Sequence, residues 1–360
     1  MVVNFPNLSS LIGLWVILMN SSNITLTERL TTNMNNLLNM NQESIVGSML
    51  VECRYNKIMS LKDYTLASVL EVTHYTDTLF SFTTKRLKTF KFKSGEYVTM
   101  GLIIRGELIF RDYYICSPTW DNKLEFYPMV VSNDLFTSFL RMITTSSSVI
   151  IKKRTTGSLV MEALNPGKRL FLLCTDVGIA AVSSIISEPE TYANFNEVIV
   201  VMTCKYVKEL RYFSDKMKQL RQAPQVKPYA KNKLRTYLSV THEPYPYSGE
   251  LIWLIKSGTL IADLRTYNFD KMDRFMVCGS KETTLNGINL LKSLGYSKGS
   301  RRYPGDFVYE KIFIDQSLRL RSELNGLIKW LKKGTSNKHT MTLLSFNCSI
   351  SSSFHYRSSY

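Results

Sequence analysis

Arg111 and Tyr113 lie in the segment FRDYYICSPTWDNKLEFYPMVV (110–131), whose pattern predicts a strand, a turn and a second strand. Strand side chains alternate between faces, so the two residues share one face, together with Ile109 and Ile115. A guanidinium binds phosphate oxygens bidentately, and a phenol ring stacks on planar groups. The pair therefore suits a nucleotide-like cofactor with a phosphate at one end and a ring at the other. The alternative is an ordinary exposed strand face, which an isolated Arg-x-Tyr does not exclude.

The elements around this pair are strand-like from residue 64 to about 153. Short alternating runs are separated by Gly, Asp and Asn turns, and include TLASVLEVTHYT, RLKTFKF, EYVTMGLII and KLEFYPMVV. About six short strands at this spacing predict a closed antiparallel barrel. A helix is predicted from Asp134 to Met142, with Thr137 near its first turn, where backbone N–H groups would suit a pyrophosphate. The alternative role for Thr137 is an ordinary helix cap.

After Gly167 the pattern changes to continuous apolar strands, RLFLLCT, EVIVVMT, LRTYLSV and DRFMVCG. Helices are predicted at 178–187, 207–220, 249–257 and 282–294. This alternation predicts a parallel sheet with helices on both faces, and such sheets bind ligands at the carboxyl ends of their strands. The segments at those ends are 174–178, 203–205, 241–243 and 278–280.

The composition describes a globular protein of two domains, since 360 residues with 44% hydrophobic and 21% charged residues can form two cores. The net charge of +16 fits an acidic protein partner, a nucleic acid or membrane surface, or a drift toward Lys, Asn and Ile. No nucleic-acid-reading motif accompanies the dispersed basic residues, so nucleic acid is disfavoured. The apolar run Leu11 to Met19 is well short of the roughly 20 residues that span a bilayer, so no stable membrane insertion is expected.

The six cysteines stand at positions 53, 116, 174, 204, 278 and 348. They form no CxxC pair and show no metal-ligand spacing, so a reducing, cytoplasmic location without a bound metal is expected. The CxxxxCxxC run of a plant-type iron–sulfur domain is absent from the sequence.

The segment around Arg111 and Tyr113 resembles the flavin-binding Arg-x-Tyr-Ser segment of bacterial ferredoxin–NADP reductases. The similarity continues in order from about Asn56 to Asp315. Its further motifs are SGEYV (94–98), KKRTTGSL (152–159), PGKRLFLL (166–173), EPETY (188–192), VTHEP (240–244), VCGS (277–280) and PGDFVYE (304–310).

The resemblance implies an antiparallel β-barrel FAD-binding domain at 56–160, followed by an α/β doubly wound parallel-sheet NAD(P)-binding domain at 161–316. Extensions at 1–55 and 317–360 lie outside it, the second with a short predicted helix at 318–330. The implied activity is hydride transfer between a pyridine nucleotide and FAD, with single electrons passing to or from a small acidic carrier, ferredoxin or flavodoxin. A monomer is expected, and the basic charge would steer an acidic carrier.

The resemblance also implies roles for individual residues. It makes Tyr114 and Cys278 catalytic residues, beside the reactive edge of the flavin and the nicotinamide ring respectively; the alternative for Cys278 is a buried small apolar residue. The implied cofactor-binding residues are Arg111, Tyr113, Tyr114, Ile115, Thr137 and Gly157 for FAD, and Thr175, Gly178, Lys205, His242 and Gly279 for NADP.

Three departures from the family pattern bear on the nucleotide. The usual Thr-Gly-Thr-Gly turn reads TDVG at 175–178, so Asp176 places a carboxylate where a pyrophosphate approaches. Two unit charges 4 Å apart repel by about 1 kcal/mol in water and about 4 at an effective dielectric of 20. The positions of the arginines that bind the 2'-phosphate hold Lys205, His242 and Glu250, which leaves NAD as an alternative to NADP.

At the flavin, Tyr114 replaces the usual serine, and residues 312–315 are candidates for covering the ring face. Two other functions stay open. One is an NADH-preferring flavin reductase or diaphorase, and the other is a non-catalytic, flavin-binding basic interaction protein.

Overall fold

The computed structural model describes residues 63–105 and 107–310. The extensions at 1–55 and 317–360, with the helix predicted at 318–330, lie outside these residues. So do residues 312–315, which were considered as a cover for the ring.

The first half of the described chain forms a six-stranded antiparallel sheet of order β4-β3-β6-β1-β2-β5. Its strands are β1 (Tyr64–His74), β2 (Phe80–Lys85), β3 (Tyr97–Ile104), β4 (Glu107–Tyr114), β5 (Lys123–Phe126) and β6 (Ser148–Thr156). A short helix, α1 (Leu135–Arg141), lies between β5 and β6 in the chain. Phe80, Phe82, Phe126 and Phe136 are almost completely buried in one core, which explains the alternating hydrophobic pattern.

The prediction of a closed barrel was wrong, because the edge strands β4 and β5 do not pair as a ladder. Just beyond β4, the Ile115 N–H donates to the carbonyl of Glu96 at 3.1 Å instead of to β5. One bridging bond, from the Cys116 N–H to the Glu125 carbonyl at 2.8 Å, spans the gap. The sheet is therefore barrel-like with an open seam.

The run RLKTFKF was also wrongly predicted as a strand, since residues 86–92 form a loop. The Arg86 guanidinium donates to the carbonyls of Phe90, Thr119 and Asp121, which folds the segment back on itself. Phe90 and Phe92 are buried in the core. Their burial produced the alternating pattern, although the segment does not pair with a neighbouring strand. The strand that occupies this part of the sheet is β2, just before the loop.

The second half forms a parallel sheet of order β11-β10-β7-β8-β9, as predicted. Its strands are β7 (Arg169–Thr175), β8 (Glu197–Cys204), β9 (Leu234–Val240), β10 (Asp273–Cys278) and β11 (Phe307–Glu310). All seven residues of β7 are buried, because helices cover both faces of the sheet. The strand order reverses between β7 and β10, and such a switch point is where doubly wound sheets bind ligands.

The helices of this half agree with the four predicted segments and add shorter ones. They are α2 (Ile179–Ile186), α3 (Pro189–Asn194), α4 (Arg211–Gln222), α5 (Lys227–Lys233), α6 (Leu251–Lys256), α7 (Thr259–Asp263) and α8 (Lys281–Ser293). Three-residue or four-residue 3-10 turns occur at Met161–Ala163, Asp176–Gly178 and Val207–Leu210.

A buried ion pair joins β7 and β10 at their amino-terminal ends, opposite the strand ends that lead into the switch-point crevice. The Arg169 guanidinium donates from Nε and Nη2 to the two carboxylate oxygens of Asp273, at 2.6 Å each. The two residues are partners in the register of β7 and β10. Removing one partner of such a pair usually costs about 3–5 kcal/mol, so this contact holds the two strands together.

A polar seam connects the two sheets. The Glu188 carboxylate accepts hydrogen bonds from the Ser94 hydroxyl at 2.7 Å and from the Thr119 N–H. The Trp120 indole N–H donates to the Ser187 carbonyl at 3.0 Å. Glu188 and Ser187 belong to the parallel-sheet half, and their partners to the antiparallel half, so these bonds fix how the two halves meet.

We predict that Glu188→Ala lowers the free energy of unfolding by about 1–3 kcal/mol, because the Ser94 hydroxyl and the Thr119 N–H lose their acceptor. Urea unfolding followed by circular dichroism measures the change. Glu190→Ala is the matched control: this carboxylate, two residues away, is exposed, and its removal should change stability by less than about 0.5 kcal/mol. Equal effects of the two substitutions would contradict the role of the seam.

Candidate active site between the two sheets

A cavity of about 560 Å3 lies where β4 and the segment after β5 face the switch point of the parallel sheet. This volume is within the range of small-molecule and cofactor sites. The antiparallel half contributes Arg111, Tyr113, Tyr114, Tyr127, Pro128, Met129, Val131, Asp134 and Thr137 to its lining, and the parallel half contributes Thr175, Asp176, Val177, Ala180, Gly279, Ser280 and Lys281.

Arg111 is held in place at the start of α1. Its Nη2 donates to Asp134 Oδ1 at 3.0 Å and its Nη1 to the Phe110 carbonyl at 3.0 Å. A guanidinium has five N–H donors, so these two bonds leave capacity for an anion in the cavity. The positive charge is thereby fixed beside the cavity before any ligand arrives.

Asp134 caps α1, because its Oδ2 accepts the Thr137 N–H at 2.9 Å. Burial by itself would raise the pKa of this carboxyl, but the hydrogen bonds from Thr137 and Arg111 outweigh it and hold the pKa below its ordinary value. One carboxylate therefore orders both the helix and the guanidinium.

Thr137 lines the cavity, but its polar atoms serve the local structure. Its hydroxyl accepts the Val131 N–H at 3.1 Å, and its own N–H is taken by Asp134. The cap of α1 is therefore Asp134 and not Thr137, so the alternative of a capping Thr137 was wrong. The contact of Thr137 with a pyrophosphate stays a prediction.

Two buried hydroxyls in the cavity lining, one from each sheet, have no hydrogen-bond partner among the described residues. They belong to Tyr114 and Thr175. Burial, followed by the nearby Cys278 thiol, raises the pKa of Tyr114 well above its ordinary value, so the phenol is a neutral donor. An unsatisfied buried hydroxyl costs about 1–3 kcal/mol.

The Tyr113 ring packs against Phe136, with ring centroids 6.1 Å apart and planes at 24°. The phenol is mostly buried, so its position is fixed by the core beneath it. A planar ligand entering the cavity would meet a preformed aromatic wall.

The ends of β7 and β10 approach so closely that two glycines are required. A Cβ on Gly279 would lie 2.2 Å from Thr175 Oγ1, and a Cβ on Gly178 would lie 2.3 Å from the Cys278 carbonyl oxygen. Gly279 lines the cavity, whereas Gly178 is buried beside Cys278. The glycines of this turn therefore serve the packing of the strand ends.

Asp176 is one of the residues that line the cavity. Its backbone is in the left-handed region, with φ of 49°, a conformation that favours glycine. Burial raises the pKa of its carboxyl; Glu209 and Glu250 add to the rise, and Lys205 opposes it.

Six predicted site residues lie outside the cavity lining, Gly178 among them. Ile115 is buried in the antiparallel core and Cys278 is 2% exposed at the end of β10. The carbonyl of Gly157 accepts a hydrogen bond from Arg301 at 3.0 Å. Lys205 and His242 are exposed neighbours, since the His242 N–H donates to the Lys205 carbonyl at 3.0 Å.

Sequence reasoning missed several lining residues. The run KLEFYPMVV was predicted as one strand, but β5 ends at Phe126 and the residues beyond it turn toward the cavity. Pro128 was the available signal, because proline interrupts a strand ladder. At the other wall, Ser280 caps α8 through its hydroxyl, which accepts the Thr283 N–H at 3.2 Å.

Known structures share this arrangement. A ferredoxin NADP+ reductase from Neisseria gonorrhoeae with bound FAD and NADP matches with a TM-score of 0.63 and 25% identity, over 70% of this chain and 99% of that one. The fold and the cavity at the switch point define a two-domain oxidoreductase of the flavin and nicotinamide-nucleotide class. Within the described residues, no helix has the length and apolar character needed to cross a membrane.

Sequence comparison identifies the family. The flavodoxin/ferredoxin–NADP reductase of Rhodobacter capsulatus is 38% identical over 253 residues, which cover 70% of this chain and 94% of that protein. Ferredoxin–NADP reductase A of Sorangium cellulosum is 37% identical over 251 residues, covering 69% of this chain and 90% of that protein. No protein-family model matches the sequence. The chain belongs to the ferredoxin/flavodoxin–NADP reductase family, which confirms the resemblance.

We predict that Asp134→Ala lowers the free energy of unfolding at neutral pH by about 1–2 kcal/mol, because α1 loses its cap. The folded-state pKa of Asp134 lies below its ordinary value of 3.8. Its contribution is therefore complete above that value and is lost as the pH falls through the folded-state pKa. Denaturant unfolding at several pH values should show the difference from wild type shrinking in acid.

The control for this experiment is Asp215→Ala. Asp215, on α4, has a half-exposed side chain and pairs only with Lys218 among the described residues, at 2.8 Å, so its removal should change stability by less than about 0.5 kcal/mol. A loss at Asp134 that stays constant into strong acid would contradict a role for the ionised carboxylate.

Proposed function

We propose that this protein is a ferredoxin/flavodoxin–NADP(+) reductase that carries FAD and exchanges electrons with a small acidic carrier. The observation that carries the proposal is the shared cavity: Arg111 and Tyr113 on β4 open onto the same space as Thr175 and Gly279 at the switch point. A flavin ring and a nicotinamide must meet for hydride transfer, and a cavity lined by both halves allows that meeting.

The residues present fit FAD. The preset guanidinium of Arg111 supports binding of a phosphate, and the buried aromatic wall at Tyr113 supports binding of a planar ring. The unpartnered hydroxyls of Tyr114 and Thr175 support a ligand with polar edges. When bound, FAD would supply the step between two-electron hydride transfer and single-electron transfer.

The chain itself would bind and orient the two cofactors and exclude water from the cavity. Val177 and Ala180 from the parallel half and Met129 from the other half give the cavity apolar walls. Burial raises the pKa of the Cys278 thiol to about 12, so it stays protonated at neutral pH and would act by packing or as a weak donor. We assign to the Tyr114 hydroxyl the role that the serine has in the family. The Tyr114 phenol would act as a neutral hydrogen-bond donor.

The domain limits and the partner belong to the same proposal. We take 56–160 as the FAD-binding domain and 161–316 as the NAD(P)-binding domain of a cytoplasmic monomer. Ferredoxin or flavodoxin fits the net charge of +16, because opposite charge speeds encounter. Lys281 on the cavity wall contributes positive charge near the expected point of electron exit.

We predict that anaerobic addition of NADPH or NADH bleaches the visible absorbance of the FAD-reconstituted protein, and that an added ferredoxin or flavodoxin restores it. The nucleotide that acts at lower concentration gives the preference left open by Lys205, His242 and Glu250. Carrier-dependent reoxidation should slow as salt is raised, because screening weakens attraction between opposite charges. A flavin spectrum that neither nucleotide bleaches would leave a binding protein in place of a reductase.

We predict that Arg111→Ala weakens FAD binding by about ten-fold to a hundred-fold, since a charge-assisted hydrogen bond contributes about 1.5–3 kcal/mol. Flavin content after gel filtration, and fluorescence titration with FAD, measure the loss. Arg141→Ala, an exposed arginine at the far end of α1, is the matched control and should retain flavin. Full retention of FAD by Arg111→Ala would remove this residue from the site.

A further inference from the structure

We propose that binding of the pyridine nucleotide is coupled to uptake of a proton by Asp176, so that nucleotide affinity rises as the pH falls. The inference rests on the proposed function, because it requires the nucleotide's pyrophosphate to occupy the switch-point end of the cavity. It concerns a residue at which this chain departs from the glycine of the family's turn.

The position of Asp176 in the fold is the first observation. Asp176 directly follows Thr175, the last residue of β7, and begins the 3-10 turn that leads into α2. It lines the cavity together with Thr175 and Gly279, so this residue borders the space that the nucleotide would enter. The left-handed backbone conformation at φ of 49° is one that a glycine adopts without cost.

The expected ligand group at this place is an anion. Doubly wound sheets bind nucleotides at the switch point, and phosphates sit where a strand leads into the next helix. An ionised carboxylate on that turn repels a pyrophosphate, and repulsion is stronger in a partly buried site than in water. Protonation removes the repulsion and turns the carboxyl into a hydrogen-bond donor.

The charges around Asp176 favour the protonated form. Glu209 is fixed by the N–H groups of Lys205 and Tyr206, at 2.9 and 3.3 Å, and Glu250 precedes α6. Among the described residues, the charged groups that act on this carboxyl are Glu209, Glu250 and Lys205. The Cys174 and Cys204 thiols lie near it, and Lys281 lines the same cavity. The thiols stay neutral because burial raises the pKa of both.

The balance among these groups decides the direction of the coupling. The carboxylates of Glu209 and Glu250 disfavour ionisation of Asp176, whereas the lysines favour it. Burial also disfavours a further negative charge. A bound pyrophosphate adds negative charge at the same place, so it shifts the carboxyl further toward protonation. By linkage, whatever makes the carboxyl take up a proton on binding also makes binding tighter at lower pH.

The test is calorimetric titration of the FAD-loaded protein with NADP+ between pH 5.5 and 8, in two buffers with different ionisation enthalpies. The two buffers give the number of protons taken up on binding. Wild type is compared with Asp176→Asn, which keeps the size of the side chain without its charge. The ligand's own 2'-phosphate, with a pKa near 6, ionises in the titrations of both proteins, so only the difference between the proteins reports on Asp176.

We expect wild-type affinity to rise by up to ten-fold per pH unit more steeply than that of Asp176→Asn, with an excess uptake of up to one proton. At pH 8 the variant should bind at least ten-fold more tightly than wild type. Asp176→Gly, which also relieves the left-handed conformation, should behave like Asp176→Asn and covers the case in which that variant folds poorly. Asp215→Asn changes a half-exposed carboxylate on α4, outside the cavity lining, and should keep the wild-type slope.

Equal slopes and equal proton uptake in wild type and both Asp176 variants would overturn the inference while leaving the nucleotide site in place. Absence of NADP+ binding in every protein at every pH would overturn the proposed function itself, and the inference with it. Binding that appears only in the Asp176 variants at pH 8, and in wild type as well at pH 5.5, would support it.

Discussion

The hydrogen bonds that Glu188 accepts from Ser94 and Thr119 set the geometry on which the site depends. They join the two sheets through Thr119, in the same 110–131 segment that contributes tyrosines to the cavity lining, and so fix the distance between β4 and the switch point. A second carboxylate also connects the two halves: buried Glu96 accepts a hydrogen bond from Arg301 of the other half. Because each acceptor is a carboxylate at least partly withdrawn from water, loss of a donor would leave an unsatisfied charge. The shape of the cavity therefore depends on these hydrogen bonds between the two halves.

The two ends of the cavity handle charge in opposite ways. At the antiparallel end, Asp134 pairs with Arg111 and caps α1, so the guanidinium is positioned before a ligand binds. At the parallel end, the Asp176 carboxyl sits near Glu209 and Glu250 in a position where family members carry glycine. A preset cation favours an anionic ligand at once, whereas a carboxyl must first lose its charge.

The motifs that carried the family resemblance divide into two physical roles. SGEYV and EPETY contribute Ser94, Glu96 and Glu188 to the seam, and the arginine and tyrosines of the 110–131 segment line the cavity. Sequence alone treated all of them as one pattern. The resemblance also named Ile115 and Gly157 as cofactor-binding residues. In the structure, Ile115 is buried in a core and the Gly157 carbonyl accepts a hydrogen bond.

The sequence by itself determined the two sheets, the order of their elements and the segments at the strand ends, because hydrophobic period and strand–helix alternation are local properties. It failed at RLKTFKF, where burial imitated a strand, and at the closure of the barrel, which depends on where the Ile115 N–H finds its acceptor. Only the tertiary structure decided that Asp134 caps α1 through the Thr137 N–H, that the Tyr114 and Thr175 hydroxyls are buried and that Asp176 lines the cavity. Those outcomes depend on contacts between residues far apart in the chain, which no local pattern encodes.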